Sequence, residues 1–355
     1  MWPYFIAYCV NYHGGWCSVV KYVFFIVSAV NMRISLDQAA VLLKAGEVVA
    51  IPTETVYGLA ADAHNDHALQ KIFSIKQRPA DHPLIVHISD ISQVENWVTA
   101  FPTVAIKLAT AFWPGALTLV LPAKSEVSRV VRGGEATVAL RVPSHPVTLA
   151  LLKLSGLSLA APSANLFTQL SPTTADHVEA GLGDAIPVVD GGSCQVGIES
   201  TIVSVNAAGE WQLLRPGMIS EADIINVAGT SQQLNLVDVS HEATPKAPGQ
   251  HALHYSPRTP LLLFKNRASL ILESQLLKQA NLCCAALLIG PGELPDCELF
   301  QLADNPQQVA EQLYSALHHL DALKLGRILV ELPPHTNAWS AVLDRLSRAG
   351  YQGPI

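Results

Sequence analysis

Short, wholly apolar runs recur along this chain, and most end abruptly in polar or turn residues. "VVAI", "PLIVHI", "ALTLVLPA", "TVALRV" and "TIVSV" lack the alternation of a half-wet sheet and read as buried strands. Helical spacing intervenes at 37–45, in "HALQKIFSIK" and at 103–112, without strict alternation of strand and helix. A mixed α/β sheet therefore fits better than a regular doubly wound one. "LSLAAPSAN" and "AIPVVDGG" read as further strands, and "ESTIVSV" with "EWQLLRPG" as an antiparallel pair. From about 229 to 260 the signal gives way to a linker composition, "TPKAPGQHALHYSPRTP". Beyond it, strand and helix patterns alternate through 261–355, suggesting a smaller Rossmann-like α/β domain without a GxGxxG turn.

The 355 residues suffice for two such cores. Only 14% of them are charged, against roughly 25% in ordinary soluble domains. A cation inside an apolar run is correspondingly informative. The net charge of -7 argues against a surface built to grip nucleic-acid backbone. Six cysteines form no CxxC pair and lie near no zinc-like histidine spacing, so reduced thiols are expected. Residues 1–31 are apolar and aromatic, yet interrupted by Gly14-Gly15 and Lys21, and make neither a membrane span nor a signal peptide. "MRISLDQAAVLL" reads as a natural start at Met32, with an interfacial anchor as the alternative for the leader.

Four stretches place charge or hydroxyls at the ends of apolar segments. In "SIKQRP", Lys76 and Arg78 flank one residue where a helix stops, and an extended backbone there would send both to one side. Such a pair can hold a polyphosphate or simply decorate a helix C-terminus. Arg141 sits within "VALRV" and requires a carboxylate, from Glu54 or from a ligand. "AAPSANLFTQLSPT" delivers Ser163, Asn165 and Ser171 after a strand, as a phosphate or ribose site or as a capped turn. "DGGSCQVGIESTIV" and "LLRPG" bring Ser200 and Arg215 to strand ends. No P-loop pattern is present.

Taken in order, "PTETVYGL", "KQRP", "PLIVHI", "WPGALTLVL", "VALRVPSHP", "APSAN", "SPT", "DGG", "GIESTIV" and "LLRPG" resemble the YrdC-like L-threonylcarbamoyladenylate synthases. The linker and the following domain resemble their two-domain form. The likeness covers about 34–355 and is densest over 47–217. It implies a YrdC-like catalytic domain over 32–228, a twisted mixed sheet with helices. The domain beyond the linker shows no catalytic constellation of its own, and its polar residues fit solvated helix faces, so it reads as a regulatory or lid-coupled module.

The resemblance further implies that L-threonine, bicarbonate or CO2, and ATP give threonylcarbamoyl-AMP and pyrophosphate. Mg²⁺ would accompany ATP, and the product would feed cytoplasmic tRNA threonylcarbamoyl-transfer machinery, direct tRNA contact being left open. Carried over by position, Thr55, His87, Arg141, Ala161 (through its backbone) and Ser200 match the threonine site. Lys76, Arg78, Thr137, Ser163, Ser171 and Arg215 match the nucleotide site, with Lys76 and Arg78 as phosphate stabilisers and no nucleophile. His82 stands where the family has Asn, and Ala252 where it commonly has Tyr, leaving His251, His254 or Tyr255 to close the linker over the nucleotide. The rival readings are a non-catalytic double-stranded RNA- or tRNA-binding YrdC-like protein and a carbamoyl-transfer domain of hydrogenase maturation.

Overall fold

Why the apolar runs need not alternate is clear from what covers them. The computed structural model describes residues 33–230, 254–294 and 297–352. The leader, Met32, most of the linker, His251 and Ala252 lie outside these residues. In chain order the first part contains α1 (Leu36–Lys44), β1 (Val49–Ile51), β2 (Gly58–Asp62), α2 (Asp66–Lys76), β3 (Ile85–His87), α3 (Thr103–Phe112), β4 (Leu117–Pro122), β5 (Thr137–Arg141), α4 (Pro146–Ser155), β6 (Leu159–Ala160), α5 (Ala175–Leu182), β7 (Thr201–Val205), β8 (Trp211–Arg215) and α6 (Glu221–Ala228). The second contains β9 (Leu261–Phe264), α7 (Arg267–Gln279), β10 (Cys284–Ile289), β11 (Glu298–Leu302), α8 (Pro306–Ala322), β12 (Arg327–Glu331), α9 (Ser340–Ala349) and β13 (Tyr351–Gln352).

The first eight strands form one mixed sheet, ordered β1-β2-β6-β3-β5-β4-β7-β8. Residues of α3 and α6, among them Leu108 and Ile224, pack with Leu119 and Val203 in one core cluster. Leu43 of α1 and Leu151 of α4 pack with Val49, Ala60 and Leu159 in another. The remaining strands form an all-parallel sheet ordered β11-β10-β12-β9-β13, an α/β arrangement of the expected class. Its order counts 3-2-4-1-5 rather than the 3-2-1 start common in dinucleotide-binding folds.

Local chemistry sets the boundaries. Ser35 and Ser220 make capping boxes at α1 and α6, satisfying backbone donors at both helix starts. Asn65 caps α2, and Gln77 closes it in the left-handed region at φ 52°. Three expectations need correcting. "AIPVVDGG" is not a strand: only Val188 bridges, to Arg33 and Ala50. β2, made of "GLAAD", was not expected, because its small residues carry no strand signal. Cys284 and Cys297 are joined as a disulfide, whereas Cys194 and Cys283 are free thiols. Among the described residues no helix is long and apolar enough to cross a membrane.

The two sheets share a core. Val56, Leu170 and Ile198 of the first part pack with Leu313, Leu317, Trp339 and Leu346 of the second in one cluster. Gly197 sits so close to α8 that an added Cβ would lie 2.4 Å from Ala310 O and Glu311 O.

Candidate active site

The turn from β1 to β2 is cross-linked within itself. Thr53 Oγ1 donates to Val56 O at 2.6 Å and accepts from the Thr55 and Val56 amides at 3.2 Å. Tyr57 turns the other way: its hydroxyl donates to Gly192 O at 2.8 Å and accepts from Gly191 N at 3.1 Å. Side-chain atoms at Gly191 would meet Pro52 and His145 within 2.8 Å, so the glycine lets the two turns touch. The "TETVYG" stretch thus forms a rigid wall, and Thr53, Thr55, Val56 and Gly58 face a cavity.

Arg141 stands opposite that wall, at the end of β5 and in register with His87 of β3. The residue is 3% exposed. Nη2 lies 2.7 Å from Glu54 Oε1, a charge contact without hydrogen-bond alignment. Nη1 donates to Thr55 Oγ1 at 2.9 Å and Nε to Gly115 O at 3.1 Å. The carboxylate that Arg141 requires is therefore present within the chain, as Glu54. Burial would raise the Glu54 carboxyl pKa, but Arg141 overrides it and holds it below the usual range.

His87 is buried, and neither ring nitrogen makes an aligned hydrogen bond. Burial first, then Arg141, brings its pKa down to about 3, with the Glu54 carboxylate offsetting this only in part. The imidazole is neutral at physiological pH.

The Lys76–Arg78 pair differs from expectation. Left-handed Gln77 breaks the extended path, so the two side chains diverge. Lys76 Nζ donates to Ser163 O at 2.5 Å and Asn165 O at 2.6 Å, supporting the "PSAN" turn from behind without lining the cavity. Arg78 does line it, anchored through Nη2 to Pro83 O at 3.0 Å, with Nε making no hydrogen bond. Burial lowers its pKa to about 10, leaving it cationic.

Ser200 and Arg215 close another side. Arg215 donates from Nε and Nη2 to Ser200 O at 3.1 and 2.9 Å, and from Nη2 to Ser200 Oγ at 3.2 Å. Ser200 Oγ also meets Thr118 Oγ1 at 2.7 Å. Glu199 beside them receives the Ser171 hydroxyl at 2.5 Å, Tyr314 at 3.1 Å and Arg345 Nε at 2.7 Å. Tyr314 and Arg345 come from the second part of the chain. Polar residues there were expected on solvated helix faces, yet Arg345 is 0% exposed.

The structure thus brings together Thr55, Arg78, His87, Arg141, Ala161, Ser163, Ser200 and Arg215 around one cavity. Ala161 lines it although its own amide is committed to Ile85 O at 3.1 Å. Thr137, His82 and Ser171 do not line it. Thr137 opens β5 at the end remote from Arg141. His82 packs edge-on to Phe167 at 5.4 Å, and Ser171 lies buried behind Glu199. Ala252 lies outside the described residues, whereas His254 and Tyr255, two of the expected closing residues, line the cavity. Glu199 is not among the site residues singled out in the sequence; its signal is a carboxylate inside "GIESTIV", the counterpart of the arginine inside "VALRV".

Known proteins resemble both parts of the chain. A family model described as "Telomere recombination", of the Sua5, YciO and YrdC proteins, matches residues 41–217, and one described as "Threonylcarbamoyl-AMP synthase, C-terminal domain" matches 219–350. The threonylcarbamoyl-AMP synthase of Pyrococcus abyssi is 38% identical over 335 residues, covering 91% of this chain and 98% of the relative. That of Bacillus subtilis is 41% identical, covering 88% and 92%. The crystal structure of P. abyssi Sua5 complexed with L-threonine superposes with a TM-score of 0.80 at 37% identity, covering 88% of this chain and 93% of that one. With both parts of the chain matched by family models and full-length relatives at 38–41% identity, this chain belongs to the threonylcarbamoyl-AMP synthase family.

Proposed function

We propose that the cavity converts L-threonine, bicarbonate or CO2, and ATP into threonylcarbamoyl-AMP and pyrophosphate. The observation that carries this is the convergence of three buried arginines, Arg78, Arg141 and Arg215, on one cavity beside the neutral His87. Such a site suits a substrate carboxylate and a chain of phosphates held out of water. The non-catalytic RNA-binding reading has no comparable support, since full-length relatives are named as synthases.

A guanidinium has five N–H donors, and Gly115 and Thr55 engage one each on Arg141, while Glu54 meets Nη2 as a charge contact only. The remaining donors on Nη1 and Nη2 are left for the threonine carboxylate, with Thr55, His87 and Ser200 around the rest of the amino acid. The threonine amine attacks the carbon of CO2 and loses a proton, giving a carbamate. A carbamate oxygen then attacks the α-phosphorus of ATP in line, the bond from that phosphorus to the α,β-bridging oxygen breaks, and the β- and γ-phosphates leave together as pyrophosphate. Arg78 and Arg215 offset charge on the phosphates, and Lys76 acts indirectly by fixing the Ser163–Asn165 turn. Exclusion of water matters because both the carbamate and its adenylate hydrolyse.

Mg²⁺ belongs to this proposal as the triphosphate's own counter-ion. Among the described residues no three His, Cys, Asp or Glu side chains cluster as a metal site, so its ligands would be phosphate oxygens and water. A cytoplasmic location and a tRNA-modifying acceptor for the unstable product complete the reading. Pyrophosphate release by the full chain tests it: release should require threonine and bicarbonate together, and ATP hydrolysis indifferent to both would overturn it.

A further inference from the structure

The β7–β8 pair carries Ser200 at one strand end and Arg215 at the other, so the cavity edge depends on how those ends are held. Arg215 ties them from the inside, by reaching back to Ser200 O. Arg345 ties them from the outside. Its Nη2 donates to Glu199 O at 3.2 Å and its Nη1 to Pro216 O at 3.0 Å, one residue beyond each end of the first tie. Its Nε donates to the Glu199 carboxylate at 2.7 Å, and its guanidinium lies 5.3 Å from the centre of the Tyr255 ring. Both Glu199 and Tyr255 line the cavity.

Charge makes this arrangement consequential. Glu199 is a carboxylate facing a space read here as a phosphate site, where an unpaired negative charge would oppose ATP. Burial would favour its neutral form, yet Arg345 and then Arg215 keep its pKa below the usual value, so it stays ionised and paired.

Resting on the synthase reading, we propose that Arg345 of α9 is a positioning residue of the nucleotide site. It neutralises Glu199 and fixes the ends of β7 and β8, so the second sheet's domain completes the cavity. Asp344 also meets Arg345, at 2.6 Å, but retains Arg348 at 3.0 Å when Arg345 is removed.

ATP affinity of the full chain, measured by titration calorimetry, tests this. Arg345→Met should weaken ATP binding about tenfold or more by leaving Glu199 unpaired. Adding Glu199→Gln to that variant should restore ATP affinity to within about threefold of wild type, which loss of a merely structural contact would not do. A folded R345M with unchanged affinity, or a double variant as weak as R345M, overturns the proposal. Should R345M alone fail to fold, the double variant carries the test by the same threefold and tenfold limits. Wild-type chain that binds ATP yet releases no pyrophosphate with threonine and bicarbonate would sink the synthase reading while leaving the Arg345 comparison readable.

Discussion

Arg141 and Glu54 meet at 2.7 Å where neither side chain is more than 5% exposed. The pair holds the "TETVYG" wall to the end of β5, and each charge depends on the other. Arg141→Ala should lower stability by about 3–5 kcal/mol, because Glu54 would be left buried and alone. Adding Glu54→Gln should recover much of that loss in urea unfolding, while pyrophosphate release stays abolished. A double variant with wild-type turnover would remove Arg141 from substrate binding and leave it a purely structural partner of Glu54.

Lys76 is expected to act through the turn it supports. Burial, and then Arg78, drive its pKa well below the ordinary lysine value, and its two short hydrogen bonds go to Ser163 O and Asn165 O. Lys76→Met keeps the volume and removes both bonds, each worth about 1.5–3 kcal/mol if Lys76 is charged. The KM for ATP should rise about tenfold or more, with the KM for threonine changing less. Equal rises in both would show that the turn serves the whole cavity rather than the nucleotide end.

Much of this site was legible because sparse charge made each buried cation conspicuous. Arg141 stood out inside "VALRV", and Arg215 ended a strand. What stayed hidden was long range. Glu199 and Arg345 are 146 residues apart, and "SAVLDRLSRA" reads as an amphipathic helix whose arginine belongs to water. Only the packing of α9 against the ends of β7 and β8 turns that arginine inward. Gln77 failed differently: one residue in the left-handed region separated two cations that an extended backbone would have aligned. β2 was missed because glycine and alanine contribute little side-chain surface, and its place in the sheet is set by the flanking strands.

Gly197 offers a direct probe of the shared core. Its φ of +76° already disfavours a side chain, and an added Cβ would meet α8 backbone at 2.4 Å. Neither backbone can yield without disturbing Ile198 and Glu199, which follow immediately. Gly197→Ala should cost at least about 2 kcal/mol. Because Glu199 leads into Ser200, turnover at saturating substrates should fall as well. A variant that lost stability but kept full turnover would show that the loop's contact with α8 is dispensable for the site.

Several buried or half-buried histidines shape the pH response, His177, lowered to about 4, and His145 and His318, also lowered, joining the two deepest. Burial leads in lowering both His87 and His254 to about 3, whereas an unfolded chain would protonate them near 6.5. Between those values the unfolded state binds more protons, so stability rises with pH there and is lost as pH falls. Each such proton gives a slope of up to about 1.4 kcal/mol per pH unit, so His87, His254 and His177 together give up to about 4.1 between about 5.5 and 4.5. Glu54 and Glu199, both held below the usual carboxylate range, add to the loss only at lower pH, below about 4.5. Urea midpoints of the full chain should therefore decline steeply from pH 6 to 4.5, and His87→Asn should remove about 1.4 kcal/mol per pH unit of that slope. An unchanged slope in His87→Asn would mean that the buried imidazole gains its proton in the folded chain, through a partner that compensates for burial.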